Sequence, residues 1–207
     1  VALASKEGQQ RARVTEGPAI LHEKVLNRVL EVNHESFWQS HKDAPEVLTK
    51  AVLEFAAFKP GDHVLDLYGG VGLFTAAILD AVGQSGHVEL IEGSKSATSD
   101  AAKNFAYSPN VKVITGDVAQ HLPRISTADV VVLDPPREGA GKEVVAQIAR
   151  LGPRSIIYVA CDPAALARDT AYLEHHSFSL VKIRAFDLFP MTHHIECVAL
   201  YAQTDVS

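Results

Sequence analysis

Cysteine and long apolar runs are scarce in this sequence, and methionine occurs once. Only two of the 207 residues are cysteines, Cys161 and Cys197. Two cysteines exclude a disulfide scaffold, and they exclude a four-cysteine zinc or iron–sulfur site built from this chain alone. No apolar run approaches the roughly 20 residues that a membrane helix needs. The sequence therefore predicts a protein that does not span a membrane.

Positive charge is also in short supply. The chain has 19 Lys and Arg residues against 25 Asp and Glu residues, which gives a formal net charge of −6. Compact nucleic-acid-binding domains are usually basic, so this balance argues against a protein that binds through phosphate contacts alone. It is compatible with an RNA enzyme that has a local basic surface. With 47% hydrophobic and 21% charged residues, the chain can bury a real core.

The beginning of the chain predicts a piece of a longer protein. The first residue is Val1, and the only methionine is Met191. Residues 1–16 are polar and lack the apolar stretch of a secretory signal, so we expect a cytoplasmic protein. We expect a frayed arm over residues 1–17, a hairpin-like segment up to residue 36, and the main domain over residues 37–207.

After residue 60, short apolar runs alternate with longer helical stretches. This rhythm predicts strands joined by crossover helices, and hence a parallel sheet with helices on both faces. The last two predicted strands are separated by too few residues for a crossover helix, so they are expected to be antiparallel. The predicted class is α/β, a Rossmann-like and mostly parallel seven-stranded sheet that ends in an antiparallel strand. The predicted strands cover residues 63–68, 87–92, 111–115, 128–134, 155–161, 178–189 and 195–203.

A glycine-rich loop follows the first of these strands. It reads DLYGGVG and contains Asp66, Tyr68, Gly70 and Gly72. Glycines at a strand–helix turn let the backbone approach a ligand, and the helix start offers free N–H groups. The loop predicts a cofactor site, although a tight turn without a ligand would use the same residues.

Two cofactors suit such a loop, a dinucleotide and S-adenosylmethionine (SAM). The third glycine of the dinucleotide pattern G-x-G-x-x-G is missing, because Thr75 stands there. Asp66 would repel a pyrophosphate but would help to bind the amino group of SAM. Glu92 ends the next strand, where an acid commonly binds ribose hydroxyls, and Asp117 is placed to meet an adenine amino group. Together these acids favour SAM over NAD.

Two later segments carry candidate chemistry. One is Asp134-Pro135-Pro136-Arg137-Glu138-Gly139, whose prolines fix an extended loop directly after a buried strand. The other contains Cys161, at the end of the following strand. A cysteine there is either a small buried hydrophobe or, because the next helix start favours a thiolate, a nucleophile. Position alone leaves both interpretations open.

These segments resemble the catalytic domain of the RNA uracil-5-methyltransferases, which make 5-methyluridine in 23S rRNA and tRNA. The glycine loop is shared by many methyltransferases, whereas the cysteine segment and the late Pro-x-Thr-x-His-x-Glu pattern are diagnostic. The matching segments follow the family order. They are residues 37–39, 66–72, 134–139, 158–163, 166–169 and 187–196.

The resemblance implies a role for each matching residue. It implies that Cys161 is the nucleophile that adds to carbon 6 of uracil, and that Glu196 is the base that removes the proton from carbon 5. Asp134 is suited to hold the uracil edge or the methionine amino group. The implied cofactor residues are Gln39, Asp66, Tyr68, Gly70, Gly72, Glu92, Asp117 and Asp134. The implied substrate residues are Asp134, Pro135, Arg137 and His194.

Some residues depart from the family pattern or invite other interpretations. Asp162 stands where the family often has Asn, and its charge is expected to raise the pKa of Cys161 unless it caps the next helix. Cys197 follows Glu196 and is expected to face the other side of the strand, as a packing residue. His193 and His194 lack partners at ligand spacing, so no metal site is predicted.

The sequence thus predicts a SAM-dependent RNA methyltransferase that acts on carbon 5 of uridine, in 23S rRNA in preference to tRNA. The alternatives are a tRNA uridine-5-methyltransferase and a non-catalytic RNA-binding module that retains SAM. A small-molecule methyltransferase would not need a cysteine adduct, and an RNA cytosine-5-methyltransferase fits the late Glu196 motif less well. The RNA-binding domain common in the family is absent from the chain, as are the cysteines of its iron–sulfur members.

Overall fold

The computed structural model describes residues 3–5, 13–16, 19–189, 191–192 and 195–204. Its strands are β1 (Leu3–Ser5), β2 (Arg13–Glu16), β3 (Ile20–Val25), β4 (Arg28–Asn33), β5 (His63–Leu67), β6 (His87–Glu92), β7 (Val111–Thr115), β8 (Val130–Leu133), β9 (Ser155–Ala160), β10 (Phe178–Phe186) and β11 (Glu196–Gln203). Its helices are α1 (Ala44–Ala56), α2 (Leu73–Val82), α3 (Lys95–Asn104), α4 (Val118–His121), α5 (Gly141–Arg150) and α6 (Pro163–His175), and a 3-10 turn covers Leu122–Arg124.

Seven strands form the central sheet in the order β10-β11-β9-β8-β5-β6-β7. Neighbouring strands from β9 to β7 are parallel, and β11 runs antiparallel to both β9 and β10. Every residue of β8 and β9 is buried, as expected for central parallel strands that are covered on both faces. The predicted fold class and the antiparallel pairing at the end are therefore confirmed.

The helices cover the two faces of the sheet and form two hydrophobic cores. Alternate strand residues point to opposite faces, so Val64 of β5 packs with α1, α2 and α3, while Leu65 packs with α4, α5 and α6. Helix α1 begins at Ala44 with Pro45 in its first turn, where the missing N–H of proline has no cost.

The hairpin predicted before the main domain is also present, as β3 and β4. It packs on the sheet domain, because Leu30 belongs to the same core as α1 and Arg28 forms an ion pair with Asp80. The prediction of a frayed arm over residues 1–17 is wrong where the structure describes it, since β1 and β2 pair there as antiparallel strands. Backbone pairing needs no apolar period, so the polar composition of the segment did not reveal it.

The topology brings distant parts of the chain to one edge of the sheet. The five parallel strands all end at this carboxyl edge, and the antiparallel strand β11 begins there. Open α/β sheets bind their ligands outside the carboxyl ends of their strands. In the part of the chain that the structure describes, no helix is long and apolar enough to cross a membrane.

Candidate active site

A cavity of about 790 Å³ opens at the carboxyl edge of the sheet. Its volume lies in the range of about 300–1,000 Å³ that is typical of small-molecule sites. Most of the residues predicted from the sequence line its wall. They are Gln39, Tyr68, Gly70, Glu92, Asp117, Asp134, Pro135, Arg137, Cys161 and Glu196.

The cavity has two ends because its residues come from different strands. Gly70, Glu92 and Asp117 follow or end β5, β6 and β7, on one side of the sheet centre. Asp134 and Cys161 directly follow β8 and β9. Glu196 joins them because β11 runs in the opposite direction, which places its first residue beside the last residues of the parallel strands. The sheet therefore brings together a cysteine and a carboxylate that are 35 positions apart in the chain.

Glu92 holds the glycine loop at the first end. Its two carboxylate oxygens accept hydrogen bonds from the backbone N–H of Gly70, at 3.1 Å, and of Ser94, at 2.6 Å. Tyr68 and Gly70 both have a positive φ, of 59° and 55°, which turns the loop sharply after β5. The space above Gly70 is open, so a ligand can lie directly against this backbone.

Asp66 and Gly72 were predicted to bind the cofactor, but neither lines the cavity. One oxygen of Asp66 accepts hydrogen bonds from the Thr75 N–H, at 2.9 Å, and from the Thr75 hydroxyl, at 2.6 Å. Asp66 thereby fixes the start of α2 from behind the loop, and burial raises its pKa to about 6. A Cβ at Gly72 would overlap the ring of Phe105, so this glycine serves close packing. Both residues shape the loop from behind.

The second end of the cavity holds the carboxyl groups of Asp134 and Glu196 and the thiol of Cys161. The pKa of each of these groups is raised. Burial, followed by the negative charges of Glu196, Asp66 and Glu92, raises the pKa of Asp134 to about 8. Burial also raises the pKa of Glu196, although the nearby Arg137 opposes this shift. Displaced pKa values of this kind are common where side chains do chemistry.

The pKa of Cys161 is raised as well. Burial is the largest cause, followed by the charges of Glu196 and Asp134, while Arg137 acts in the opposite direction. Asp162 is not among the causes of this shift. Its carboxylate caps α6 by accepting a hydrogen bond from the Ala165 N–H at 2.8 Å. These causes favour the neutral thiol of Cys161 over its thiolate.

Other predicted residues have simpler outcomes. Cys197 is buried at 4% exposure in the core of the opposite face, as predicted. His194 was predicted to contact the substrate, and it lies outside the described residues. The sequence interpretation did not assign several cavity residues, and among them Phe37 is 72% exposed at the cavity wall. The others include Glu35, Ser40, Ser94 and Phe189.

One group among the described residues has ligand atoms close enough to hold a metal ion. His63, His87 and Glu89 place these atoms within 4.8 Å of one another, at the amino ends of β5 and β6. Both Glu89 oxygens already have partners, His63 at 3.1 Å and Lys112 at 2.7 Å. The group lies at the opposite edge of the sheet from the cavity.

Two family models match the chain. Residues 121–204 match the tRNA (uracil-5-)-methyltransferase model, and residues 15–160 match the protein-L-isoaspartate (D-aspartate) O-methyltransferase model. The second match ends just before Cys161, whereas the first contains both Cys161 and Glu196. The segment that carries the candidate nucleophile and base is therefore the one that resembles the RNA enzymes.

Curated relatives and a solved structure agree with this. The chain is 48% identical over 186 residues to an RNA methyltransferase of Streptomyces avermitilis, covering 89% of this chain and 43% of the relative. It is 37% identical over 204 residues to one of Corynebacterium diphtheriae, covering 94% and 49%. The structure of Pyrococcus abyssi tRNA (uracil-54, C5)-methyltransferase in complex with S-adenosyl-L-homocysteine matches with a TM-score of 0.78 and 25% identity, covering 96% of this chain and 48% of that one.

The two family models and the two curated relatives are all methyltransferases by name, and the relatives match over a similar share of their length. The chain spans about half the length of the curated relatives that it matches. Both matching models describe methyltransferases, and the relatives carry the name of uncharacterized RNA methyltransferases. These findings confirm the resemblance seen in the sequence, and the chain belongs to the RNA methyltransferase family that includes the tRNA (uracil-5-)-methyltransferases.

Proposed function

We propose that this chain is the catalytic domain of a SAM-dependent RNA methyltransferase that methylates carbon 5 of uridine. The observation that carries the proposal is the joint presence of Cys161, Glu196 and Asp134 at one end of a cavity whose other end suits an adenosine cofactor. A non-catalytic RNA-binding module would have no chemical need for the pair of Cys161 and Glu196. A small-molecule methyltransferase would not need a cysteine that forms an adduct.

The residues at the first end of the cavity fit SAM. The uncovered backbone at Gly70 leaves room for a close approach, and Glu92 keeps acceptor capacity for ribose hydroxyls beyond its two backbone hydrogen bonds. Asp117 lines the same end with a carboxylate that suits an amino group of the cofactor. Gln39, Tyr68 and Asp134 complete the proposed contacts. When bound, SAM supplies the methyl group.

Cys161 would begin the reaction as a nucleophile. Its thiol first loses its proton to water, and the thiolate then adds to carbon 6 of uracil. The electron pair of the double bond between carbons 5 and 6 moves to carbon 5 and the neighbouring carbonyl, so that carbon 5 can take up the methyl group. With a pKa of about 8, Asp134 is largely protonated near pH 7, and it can donate a hydrogen bond to the substrate edge. Arg137 lies on the same wall and would attract an RNA phosphate or the substrate carbonyl.

Glu196 would end the reaction as a base. After methyl transfer, carbon 5 carries both the methyl group and a proton. Glu196 removes this proton, the electron pair reforms the double bond between carbons 5 and 6, and the sulfur of Cys161 leaves. The raised pKa of Glu196 makes its ionised carboxylate a stronger proton acceptor than an ordinary surface carboxylate.

The proposed substrate is a uridine that has left its stack. Carbon 6 of a stacked base is not accessible to a side chain, so the nucleotide must turn into the cavity. The sequence prediction of 23S rRNA remains our proposal. A tRNA uridine is the second candidate, which the names of the matching family model and of the Pyrococcus abyssi enzyme favour. We further propose residues 37–207 as the catalytic domain of a longer cytoplasmic protein, with RNA-binding parts elsewhere.

RNA that contains 5-fluorouridine tests the proposal. Fluorine at carbon 5 cannot be removed as a proton, so the enzyme should stall as a covalent complex on a denaturing gel when SAM is present. Cys161→Ala should abolish the complex, a loss of about 10³-fold or more, while SAM binding stays within about twofold. Cys197→Ala is the matched control, because it removes the other cysteine from the opposite face, and it should form the complex normally.

Two RNA pools make the negative result informative. Full-length protein is offered 5-fluorouridine-containing ribosomal RNA and tRNA separately. The pool that gives the adduct identifies the substrate class. No SAM-dependent adduct with either pool, or an adduct that persists in Cys161→Ala, would contradict the proposed reaction.

A further inference from the structure

The loop that carries Pro135 and Arg137 has little regular structure of its own. It leaves β8 at Leu133 and reaches α5 only at Gly141. Both residues line the cavity, so the position of this loop fixes the part of the cavity wall that they form. Its anchor is a buried carboxylate on another element, Asp169 of α6, which has no exposed surface.

One oxygen of Asp169 accepts three hydrogen bonds. They come from the Tyr158 hydroxyl at 2.7 Å, the Ala140 N–H at 2.7 Å and the Gly141 N–H at 3.1 Å. A carboxylate that is fully buried needs such donors to offset the loss of water. The same oxygen therefore joins β9, through Tyr158, to the end of the loop and the first turn of α5.

The other oxygen of Asp169 binds the neighbouring Arg168. Its Nε and Nη2 atoms lie 3.3 Å and 3.2 Å from Oδ1, and Nη2 also donates to the carbonyl oxygen of Glu138. Gly139 closes this arrangement. It has a φ of 80°, and a Cβ there would lie 2.6 Å from both Arg168 Nη2 and Asp169 Oδ2. The loop thus passes so close to the carboxylate that only glycine fits.

The elements that Asp169 connects are those that carry Cys161. Tyr158 lies on β9, three positions before Cys161, which directly follows this strand. Helix α6 begins at Pro163, two positions after Cys161. We propose that Asp169 is a positioning residue that holds the loop from Pro135 to Gly139 at a fixed distance from the Cys161 nucleophile. This inference rests on the proposed function only in that it treats Cys161 as the nucleophile.

A carboxylate, and not an amide, is required at this position. Five of the contacts of Asp169 come from donors, and a carboxylate offers acceptors on both oxygens. Asn would turn an NH₂ group either toward the three donors of one side or toward Arg168. One side of the anchor must then open, which displaces the loop and with it Arg137. Displacements of about 1 Å can cost about 10²-fold in rate.

The test compares Asp169→Asn with Tyr201→Phe. Tyr201 is also fully buried, and its hydroxyl lies 2.6 Å from that of Thr170, the residue after Asp169 on α6. This control removes one partly buried hydrogen bond between β11 and the same helix without touching the loop. The expected result for Asp169→Asn is a 10- to 100-fold slower adduct formation with 5-fluorouridine RNA, with the dissociation constant for SAM within about twofold of wild type. Tyr201→Phe should leave the rate per folded molecule within about twofold.

Hydrogen exchange provides a readout that does not depend on activity. The Ala140 and Gly141 amides should exchange faster in Asp169→Asn and unchanged in Tyr201→Phe. Tyr158→Phe removes one donor to Asp169 and also an acceptor of the Ala140 N–H, at 3.0 Å. It should change the rate in the same direction by a smaller factor and speed exchange at Ala140 more than at Gly141, and it serves if Asp169→Asn does not fold.

Two results would overturn the inference. One is an equal loss of SAM binding and adduct rate in Asp169→Asn, which marks a purely structural residue. The other is unchanged exchange at Ala140 and Gly141. If wild-type protein forms no adduct, the proposed function fails, and the exchange measurement still decides whether Asp169 holds the loop.

Discussion

The pKa values of the acids at the two edges of the central sheet are shifted in opposite directions. At the carboxyl edge, burial and neighbouring negative charges raise the pKa of Asp134 to about 8, and burial raises that of Glu196. At the amino edge, burial pulls in the same direction on Asp62, but hydrogen bonds from Arg154 and from the Lys59 N–H outweigh it and lower its pKa. The hydrogen bond from His63 is the main cause that lowers the pKa of Glu89 to about 2.

The two edges differ in the partners that their acids have. Asp62 and Arg154 form a two-fold ion pair with contacts of 2.8 Å and 2.5 Å. Asp134 lines a cavity in which the nearest charged groups that shift its pKa are all acids. A pair of charges in a fixed geometry supports the fold, whereas a cluster of like charges lowers stability and is retained for chemistry. The partners of an acid thus distinguish an active edge from a structural one.

The largest stability effect is expected at the amino edge. Asp62→Asn removes the charge that Arg154 needs and should lower the free energy of unfolding by about 2 kcal/mol, a value reduced from that of a fully buried pair because Arg154 is partly exposed. The midpoint of urea unfolding at pH 7 measures it. Adduct formation per folded molecule should not change. A variant as stable as wild type would show that this edge is not held by ion pairs.

The matched substitution at the carboxyl edge should have the opposite sign. Because the folded-state pKa of Asp134 is raised, its carboxyl group costs stability as the pH rises from about 4 toward 8. Asp134→Asn removes this cost and should raise the free energy of unfolding by about 1–2 kcal/mol at pH 7. The gain should vanish near pH 3, where the unfolded chain is protonated as well. A loss of stability at pH 7 would contradict the comparison.

The smallest effect concerns Glu89. Its folded-state pKa is lowered to about 2, so its contribution is present above about pH 4.5 and is lost as the pH falls toward 2. Glu89→Gln should cost about 0.5–1 kcal/mol at pH 7, since Lys112 is largely solvent-exposed. Urea unfolding at pH 7 and pH 3 should show that this cost shrinks in acid. A cost that does not change between the two pH values would exclude ionic pairing at Glu89.

The sequence predicted the fold well because local patterns determine it. Strands β5 to β9 were recognised from apolar runs, and the antiparallel end from the short connection between β10 and β11. Cys161 and Glu196 were brought together by the family resemblance, and the structure supplies the physical reason, which is the reversed direction of β11.

The remaining features depend on contacts that no local pattern shows. Asp66 is predicted from the sequence to bind the cofactor, because a carboxylate in a glycine loop suits an amino group. The structure adds that one of its oxygens accepts both hydrogen bonds of Thr75 from behind the loop. The anchor at Asp169 joins residues up to 29 positions apart, so the sequence showed a motif but not its geometry. Phe37 reaches the cavity because the segment after the β3–β4 hairpin folds over the carboxyl edge.

The most direct test of the central claim uses Glu196→Gln with natural uridine RNA and SAM. The account predicts that attack by Cys161 and methyl transfer proceed, whereas removal of the proton from carbon 5 does not. A covalent protein–RNA complex should therefore accumulate without any fluorinated base, and intact mass spectrometry should find it one methyl group heavier than protein plus RNA. Normal turnover by Glu196→Gln, or a complete absence of the methylated complex, would contradict the assignment of Glu196 as the base.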